Sequence, residues 1–224
     1  MRPTKEDYDR YIWLVQQGRA QDWNADALKD NHPFCVADPT MTFILLRGLM
    51  DLVTLAKDLG EDVSALSDME AQVRQGVDTL WNPDISCYAA RDVNSGIWSD
   101  AITNAAFLCW YAKSGRPEVE AHLKRILDTV AYGVPSLDPS DPRLDAKRYW
   151  RGPTWAIMNQ MIGTGLIEAG LPLGPRLRDT TREMIARHGK AEYFDPLTGA
   201  PAGGGTFTWT AAVWLSWANA MEDV

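Results

Sequence analysis

Residues 153–169 read PTWAIMNQMIGTGLIEA and are apolar on every side of the helix that they predict. A helix of this kind must be covered on two sides, whereas a helix with one apolar stripe covers a neighbour on one side only. The striped kind follows at once over residues 174–188, where Leu177, Met184 and Ile185 recur at helical spacing. This alternation of fully apolar and striped helices decides the fold class.

The same alternation runs through most of the chain. Fully apolar helices are predicted to begin near residues 39, 103, 153 and 209, and striped helices are predicted over 63–81, 117–132 and 174–188. A repeat of helical hairpins predicts an inner ring of helices inside an outer ring. A first helix, capped by Thr4 and running to about Gly18, is counted as a fourth outer helix. We therefore predict an all-α fold in which residues 1–224 form a single domain, a partial (α/α) toroid of about four inner and four outer helices. The main strand signal is a short hairpin within residues 87–98.

Composition and charge exclude several classes of function. The net charge of the 224 residues is -8 and the sequence pI is near 4.9, so we expect no nucleic-acid partner. No uninterrupted apolar run approaches the roughly 18 residues that would span a bilayer, so we expect no membrane partner. The histidines are dispersed and nucleotide-binding motifs are absent, which predicts no metal and no cofactor. Three cysteines lie far apart, which disfavours a disulfide framework and favours a reducing cytoplasm: Cys35, Cys87 and Cys109.

The densest group of functional side chains is YWRGPTWAIMNQ, residues 149–160, where a loop meets a predicted inner helix. Arg151 is a fixed cation that can bind a carboxylate through two N–H groups. Tyr149, Trp150 and Trp155 offer flat faces for stacking on the C–H surfaces of a sugar. An alternative interpretation is a tryptophan-rich corner of the core with Arg151 paired to a structural acid.

A second group lies in KAEYFDPLTGAPAGGGTFTWTAA, residues 190–212. Glu192 precedes two aromatic residues, and a carboxylate held between rings can act as a base on water. The alternative is a solvated surface glutamate. Asp100 stands just before a predicted inner helix, so we interpret it as an N-cap and not as a catalytic acid.

These motifs resemble a known family. YWRGPTWAIMNQMIGTGL, AEYFDPLTG and FTWTAA resemble the C-terminal part of glycoside hydrolase family 63, and RPTKEDYDRYIWLV with PFCVADPTMTFIL resembles its bacterial mannosylglycerate and glucosylglycerate hydrolase branch. The resemblance implies an (α/α)6 barrel, of which this chain would be the C-terminal two-thirds, and inverting hydrolysis of a small glycoside substrate. It places Glu192 at the position of the general base, and Thr206 or Thr208 at a polar contact to substrate. It also implies five pocket residues: Tyr149, Trp150, Arg151, Trp155 and Trp209.

The sequence also departs from the family pattern. The family's general acid is an aspartate in a Ser-Gly-x-Asp-like segment upstream of the Arg-Pro-Thr stretch, and here that stretch opens the sequence at residues 2–4. We therefore expect little or no glycosidase activity from these residues alone. An incomplete ring leaves apolar helix sides uncovered, so we expect self-association or an N-terminal partner segment that completes the barrel.

Two other interpretations remain open at this stage. The chain could be a non-catalytic carbohydrate-binding or assembly module that keeps the aromatic pocket walls without a hydrolytic pair. It could also be an unrelated helical toroid that binds proteins. Binding of a sugar would exclude the protein-binding toroid. A hydrolysis assay would then distinguish a non-catalytic carbohydrate-binding module from an enzyme.

Overall fold

The structure of the protein is a computed structural model that describes residues 3–219. About half of the chain is helical, 53%. The described α-helices are α1 (Lys5–Ala20), α2 (Ala25–Asn31), α3 (Pro39–Asp58), α4 (Ser64–Asp78), α5 (Pro117–Thr129), α6 (Ala156–Glu168), α7 (Leu173–His188) and α8 (Thr208–Val213). A 3₁₀-helix covers Asn104–Cys109, and a π-helix, Trp214–Ala218, continues α8.

The helices form two layers. Along the inner layer α3 packs on the 3₁₀-helix, the 3₁₀-helix on α6, and α6 on α8. On the outside α4 packs on α3, α5 on the 3₁₀-helix, and α7 on α6 and the π-helix. The predicted all-α partial toroid is therefore confirmed. The first helix, α1, buries only Gly18 among its described residues.

Two helix starts show why the sequence predicts them well. The side chain of Thr4 accepts a hydrogen bond from the Asp7 N–H, and the Asp7 carboxylate accepts one from the Thr4 N–H, so α1 begins with a capping box. The side chain of Asp38 accepts from the Met41 N–H, and Pro39 follows as the first residue of α3.

The second predicted fully apolar helix, residues 103–113, is wrong in detail. All six residues of Asn104–Cys109 are buried, as expected, but they form a short 3₁₀-helix. Thr103 is extended and pairs with Leu137, while Lys113 takes a left-handed conformation with φ 52°. These two points fix the ends of a short segment whose Asn, Phe and Cys residues have low helix propensity.

Strands are limited to two-residue pairs in the described part of the chain. Val36–Ala37 (β1) pairs with Arg91–Asp92 (β4), Trp81–Asn82 (β2) with Cys87–Tyr88 (β3), and Tyr193–Phe194 (β5) with Pro201–Ala202 (β6), all antiparallel. The predicted hairpin within residues 87–98 is only partly correct. A bridge between Arg91 and Trp98 closes its turn, but β3 pairs with β2 in a separate hairpin that turns at residues 83–86.

The loops that precede the inner helices pair with one another at one end of the ring. Isolated bridges join Thr103 to Leu137, Pro135 to Thr154, Thr154 to Phe194 and Lys190 to Thr206. Below this belt the buried Asn159 accepts a hydrogen bond from the Val134 N–H at 2.9 Å and donates to Thr181 Oγ1 at 3.0 Å. The belt brings the two candidate segments, 149–160 and 190–212, to the same end of the ring.

One stripe of α3 has no neighbour in the described residues. Its buried side is formed by Phe43, Leu46, Leu49, Val53 and Ala56. An exposed stripe runs along another side at spacings of three and four, through Met41, Leu45, Gly48, Leu52, Leu55 and Leu59. Helix α3 is also the one described helix whose length and composition would suffice to cross a membrane. Its place in the inner layer accounts for the buried side.

Candidate functional site

Glu192 and Tyr149 meet directly at the loop end of the ring. The phenol Oη of Tyr149 donates a hydrogen bond to Glu192 Oε1 at 2.6 Å, although 43 residues separate them in sequence. Tyr149 itself has a positive φ of 20°, a backbone conformation that is uncommon for a residue with a side chain and that is found at turns and functional sites. The contact fixes one carboxylate oxygen of Glu192 and leaves the other, Oε2, for a second partner.

An aromatic wall stands beside this pair. The rings of Trp150 and Trp155 stack with centroids 4.4 Å apart and an angle of 9°, and Tyr149 and Tyr193 pack edgewise or tilted against Trp155. Trp155 is buried and its Nε1 donates to the Tyr149 carbonyl oxygen at 3.0 Å, so it supports the wall. Trp150 is 53% exposed and presents the face on which a sugar can stack.

The segment around Glu192 is held in place from two sides. Thr210 at the start of α8 is buried, and its hydroxyl donates to the Ala191 carbonyl oxygen at 2.6 Å. Gly203 follows β6 with φ 78°, and a Cβ there would lie 2.3 Å from Glu192 Oε2. A side chain at position 203 would therefore displace the carboxylate, which explains why the glycine-rich stretch is required here.

Arg151 lies on the rim of a cavity of about 460 Å³ next to this wall. The cavity is lined by Pro3, Asp7, Tyr11, Arg148, Tyr149, Trp150 and Arg151. Arg151 forms a long, exposed ion pair of 3.9 Å with Asp145. An exposed pair at this distance contributes little free energy. The guanidinium can therefore turn to a carboxylate in the cavity. The sequence did not reveal that α1 contributes to this cavity. From the sequence, Asp7 is predicted only to stabilise the start of α1.

The remaining candidate residues make no described hydrogen bond to this pair. Trp209 is 59% exposed at the start of α8, next to Thr210, and its ring packs on Phe207. Thr206 bridges Lys190 in the belt, and Thr208 is the exposed first residue of α8. Asp100 is not an N-cap, because Thr103 occupies that position and Asp100 pairs with Arg143 at 2.9 Å. That correction depends on a tertiary contact across 43 residues.

Two other carboxylates near the cavity are engaged with partners of their own. The backbone and side-chain hydrogen bonds from Thr4 lower the pKa of Asp7, so Asp7 is ionised at neutral pH and has no proton to give. Asp145 faces Arg151 and accepts the Lys147 N–H at 3.1 Å. Glu192 is thus the carboxylate that the described residues direct at the aromatic wall.

The Tyr149 phenol should titrate late. Its hydrogen bond to Glu192, and secondarily desolvation, raise the pKa of Tyr149 above the ordinary tyrosine value. The phenol is then a donor at neutral pH, and the stability that this contact contributes is present in full below the ordinary value and lost as pH rises through the raised one. We expect a late step in the difference between the tyrosinate absorbance titrations of the wild type and Tyr149→Phe.

The matched variant for this titration is Glu192→Gln, in which the carboxylate charge is gone. The late step should then move back towards the ordinary tyrosine range. Tyr88, whose pKa burial raises, titrates late in every variant and cancels in the difference. If the step assigned to Tyr149 in the wild type has the ordinary tyrosine pKa, the hydrogen bond to Glu192 is contradicted.

Fold and site together define a class of protein: part of an (α/α) barrel with a carboxylate beside a wall of aromatic rings, as in the glycoside hydrolases. Residues 1–210 match the family model of the mannosylglycerate hydrolase MGH1-like glycoside hydrolase domain, and the chain belongs to this family. Mannosylglycerate hydrolase MGH1 of Selaginella moellendorffii is 40% identical in an alignment of 224 positions that covers 97% of this chain and 46% of that protein.

Other relatives extend this result. The mannosylglycerate hydrolase of Thermus thermophilus is 35% identical over 96% of this chain and 53% of its own length. The glucosylglycerate hydrolase of Mycolicibacterium hassiacum is 29% identical over 96% of this chain and 51% of its own length. The chain therefore spans about half the length of the curated relatives that it matches.

Solved structures agree with the fold. A crystal structure of the glycoside hydrolase family 63 mannosylglycerate hydrolase from Thermus thermophilus in complex with glucose superposes with a TM-score of 0.89 at 32% identity, over 94% of this chain and 55% of that one. Neutral trehalase from Saccharomyces cerevisiae matches with a TM-score of 0.59 at 13% identity, over 80% of this chain and 37% of that one. At this identity the match supports the fold and nothing further.

Proposed function

We propose that residues 1–224 form a single domain that supplies the base-bearing part of an inverting glycoside hydrolase site, about two-thirds of the helices of an (α/α)6 barrel. The observation that carries this proposal is the hydrogen bond of 2.6 Å from Tyr149 to Glu192 beside the exposed face of Trp150. In this role Glu192 is the general base, and the substrate-binding residues are Tyr149, Trp150, Arg151, Trp155 and Trp209.

The chemistry of this proposal needs two carboxyl groups. The Glu192 carboxylate takes a proton from a water molecule whose oxygen attacks the anomeric carbon, while the bond from that carbon to the glycosidic oxygen breaks. An inverting site places the second carboxyl about 6.5 to 9.5 Å away, where it protonates the leaving oxygen. Among the described carboxylates beside the cavity, Asp7 and Asp145 are engaged elsewhere. We infer that the acid comes from the segment that corresponds to the rest of the relatives' barrel.

The substrate class follows from the relatives and from Arg151. The relatives are named mannosylglycerate and glucosylglycerate hydrolases, and a family 63 structure is a complex with Tris and D-glycerate. A glycerate aglycone carries a carboxylate, and Arg151 offers a fork of N–H donors at the rim of the cavity of about 460 Å³. We infer an α-linked glucosyl- or mannosylglycerate as the substrate.

The test of this function separates the base from the absent acid. A glycosyl fluoride releases fluoride, which leaves without protonation, so its hydrolysis requires only the base and the pocket. We expect the chain to hydrolyse α-glucosyl or α-mannosyl fluoride to the β-sugar, detected by NMR, and to hydrolyse glucosylglycerate about 10² to 10⁴ times more slowly than a complete site does.

Two outcomes would contradict the proposal. Binding of the sugar without hydrolysis of either fluoride would indicate a non-catalytic carbohydrate-binding module. Hydrolysis that retains the α-configuration would exclude the inverting mechanism. Quenching of tryptophan fluorescence measures the binding, because Trp150 and Trp209 are exposed, and Trp23→Phe is the control, since Trp23 is equally exposed outside the candidate site.

We further propose that the exposed stripe of α3 binds the segment that corresponds to the rest of the relatives' barrel, and a second copy of this chain where that segment is absent. Leu52 and Leu55 lie in this stripe, and Gly48 leaves room for close approach of another helix. The chain spans about half of its relatives, so a partner of similar size is required to surround α3.

Changing Leu52→Glu places a charge in this stripe and should abolish self-association. We expect sedimentation velocity to show the wild type above its monomer mass of 25.0 kDa and the variant at that mass. Met69→Glu, an equally exposed position on α4, is the matched control and should sediment as the wild type does. A monomeric wild type at high concentration would contradict the docking surface.

We place the protein in the cytoplasm. The three cysteines are free, and Cys87 and Cys109 are buried. Burial raises the pKa of the Cys87 thiol to about 12, so the thiol stays protonated and unreactive. Free buried thiols are typical of proteins in a reducing compartment.

A further inference from the structure

The peptide unit between Ala191 and Glu192 is hydrogen-bonded on both of its sides. Its carbonyl oxygen accepts from the Thr210 hydroxyl at 2.6 Å, and its N–H donates to the Gly204 carbonyl oxygen at 3.2 Å. Because a peptide unit is planar, two hydrogen bonds on opposite sides fix the orientation of the whole plane. They thereby fix the direction from which the Glu192 side chain leaves the backbone.

The bond from Thr210 is unusual for a hydroxyl on a helix. Such hydroxyls commonly donate to a carbonyl oxygen three or four residues earlier in the chain. Six helical hydroxyls of the described residues do so: Thr42, Thr54, Thr129, Thr180, Thr181 and Ser216. A hydroxyl has one proton to donate. Thr210 directs that proton to the segment of Glu192, 19 residues earlier.

This hydrogen bond is shielded from water. Thr210 and Ala191 are each only 1% exposed, so water cannot replace the hydroxyl as the donor to this carbonyl oxygen. Thr210 also lies in the first turn of α8, next to the exposed Trp209. One turn of helix therefore carries both the group that holds the segment of Glu192 and a ring that the proposed function offers to the substrate.

We propose that Thr210 is a positioning residue, whose hydroxyl holds the peptide plane before Glu192 so that Oε2 of its carboxylate faces the attacking water. This inference rests on the proposed function of Glu192 as the general base. The Tyr149 phenol holds Oε1 at 2.6 Å, and Thr210 acts at the other end of the same residue, on the backbone. The base is thus fixed at both ends, as a productive geometry with water requires.

The first test replaces the hydroxyl without changing the shape of the side chain. In Thr210→Val we expect kcat on an α-glycosyl fluoride to fall about tenfold, because a small displacement of a catalytic group is costly. The dissociation constant of the sugar should change little, since Thr210 is buried. Thr210→Ser keeps the donor and should keep the rate. Thr180→Val, which removes a bond within α7, is the matched control and should leave the rate unchanged.

A combined variant tests whether Thr210 acts through Glu192. In Glu192→Gln the base is already absent, so adding Thr210→Val should lower the residual rate no further. A second loss of about tenfold in the Glu192→Gln background would show that Thr210 acts on the site independently of the base. That result would overturn the positioning role.

A further measurement follows the carboxylate and needs no activity. The hydrogen bond to Glu192 is the main cause of the raised pKa of Tyr149, so a displaced carboxylate lets the phenol titrate nearer its ordinary value. We expect this change in Thr210→Val and not in Thr210→Ser. Tyr88 reports the fold in the same sample, because burial keeps its pKa raised only while the chain is folded.

The outcomes separate this inference from the proposed function. If the wild type does not hydrolyse the fluoride but the Tyr149 step moves in Thr210→Val, the hydrolytic function is wrong and the positioning of Glu192 by Thr210 stands. An unchanged Tyr149 step in folded Thr210→Val overturns the positioning role, whatever the rate. If Thr210→Val does not fold, Thr210→Cys takes its place, because a thiol is only a weak donor.

Discussion

Replacement of Glu192 by glutamine is expected to slow hydrolysis of an α-glycosyl fluoride by about 10²- to 10⁴-fold, the usual contribution of a general base. Glutamine has the same shape and still accepts the hydrogen bond of 2.6 Å from Tyr149, but it cannot take a proton from water. Sugar binding, followed by tryptophan fluorescence, should therefore change little. A loss of kcat with a nearly constant dissociation constant is the signature of this role.

The matched control for this experiment is Glu183→Gln. Glu183 is a surface glutamate on α7 that pairs with Arg187, and its replacement should leave the rate unchanged. Tyr149→Phe removes the donor that orients Glu192 and should lower the rate about tenfold, as the loss of one hydrogen bond to a charged group predicts. Equal rates for the wild type and Glu192→Gln would remove Glu192 from the mechanism, whatever the fold.

The largest effect on stability is expected at Asn159. Changing Asn159→Leu removes the acceptor of the buried Val134 N–H and the donor to Thr181 Oγ1. A buried N–H without a partner costs about 1 to 3 kcal/mol, and the second hydrogen bond adds about 1 kcal/mol. We expect the free energy of unfolding to fall by about 3 kcal/mol, measured by urea denaturation. Leucine has the same branched shape and the same number of side-chain heavy atoms as asparagine, so no cavity adds to this cost.

The neighbouring residue provides the control for Asn159. Gln160 is half-buried on the same helix and donates to Ser216 Oγ at 3.3 Å, so Gln160→Leu should cost less than about 1 kcal/mol. Thr181→Val removes only one of the two partners of Asn159. Its cost in free energy of unfolding should lie between those of Gln160→Leu and Asn159→Leu. A cost at Asn159 no larger than that at Gln160 would show that Val134 finds another acceptor.

Sequence patterns predicted those parts of the protein that depend on local chemistry. The start of α3 follows from Asp38 and Pro39, and the start of α1 from Thr4 and Asp7, because caps involve neighbours in sequence. The alternation of fully apolar and striped helices predicted the two layers, because it indicates which helices are covered on both sides and which on one. Both candidate segments lead into inner helices, so the alternation also implies that segments 149–160 and 190–212 share one end of the ring, where Tyr149 and Glu192 meet.

Other features depend on partners that are distant in sequence. The pairing of Asp100 with Arg143, and the bridge of Thr103 to Leu137 at the 3₁₀-helix, join residues more than thirty positions apart. The part of α1 in the cavity next to the aromatic wall is also set by tertiary packing. No local pattern carries these contacts, and they are where the sequence prediction fails.

The belt of bridged loops has a consequence for how the protein loses its structure. Each inner helix contacts the next one along the ring, so cooperative unfolding can proceed hairpin by hairpin from either margin. Helix α6 has inner neighbours on both sides, whereas α3 and α8, within the described residues, each have an inner neighbour on one side only. Fraying should thus begin at α3 and α8. Thr154 bridges both Pro135 and Phe194, so the loops around it should unfold last. The contact between Tyr149 and Glu192 should therefore be lost late in unfolding.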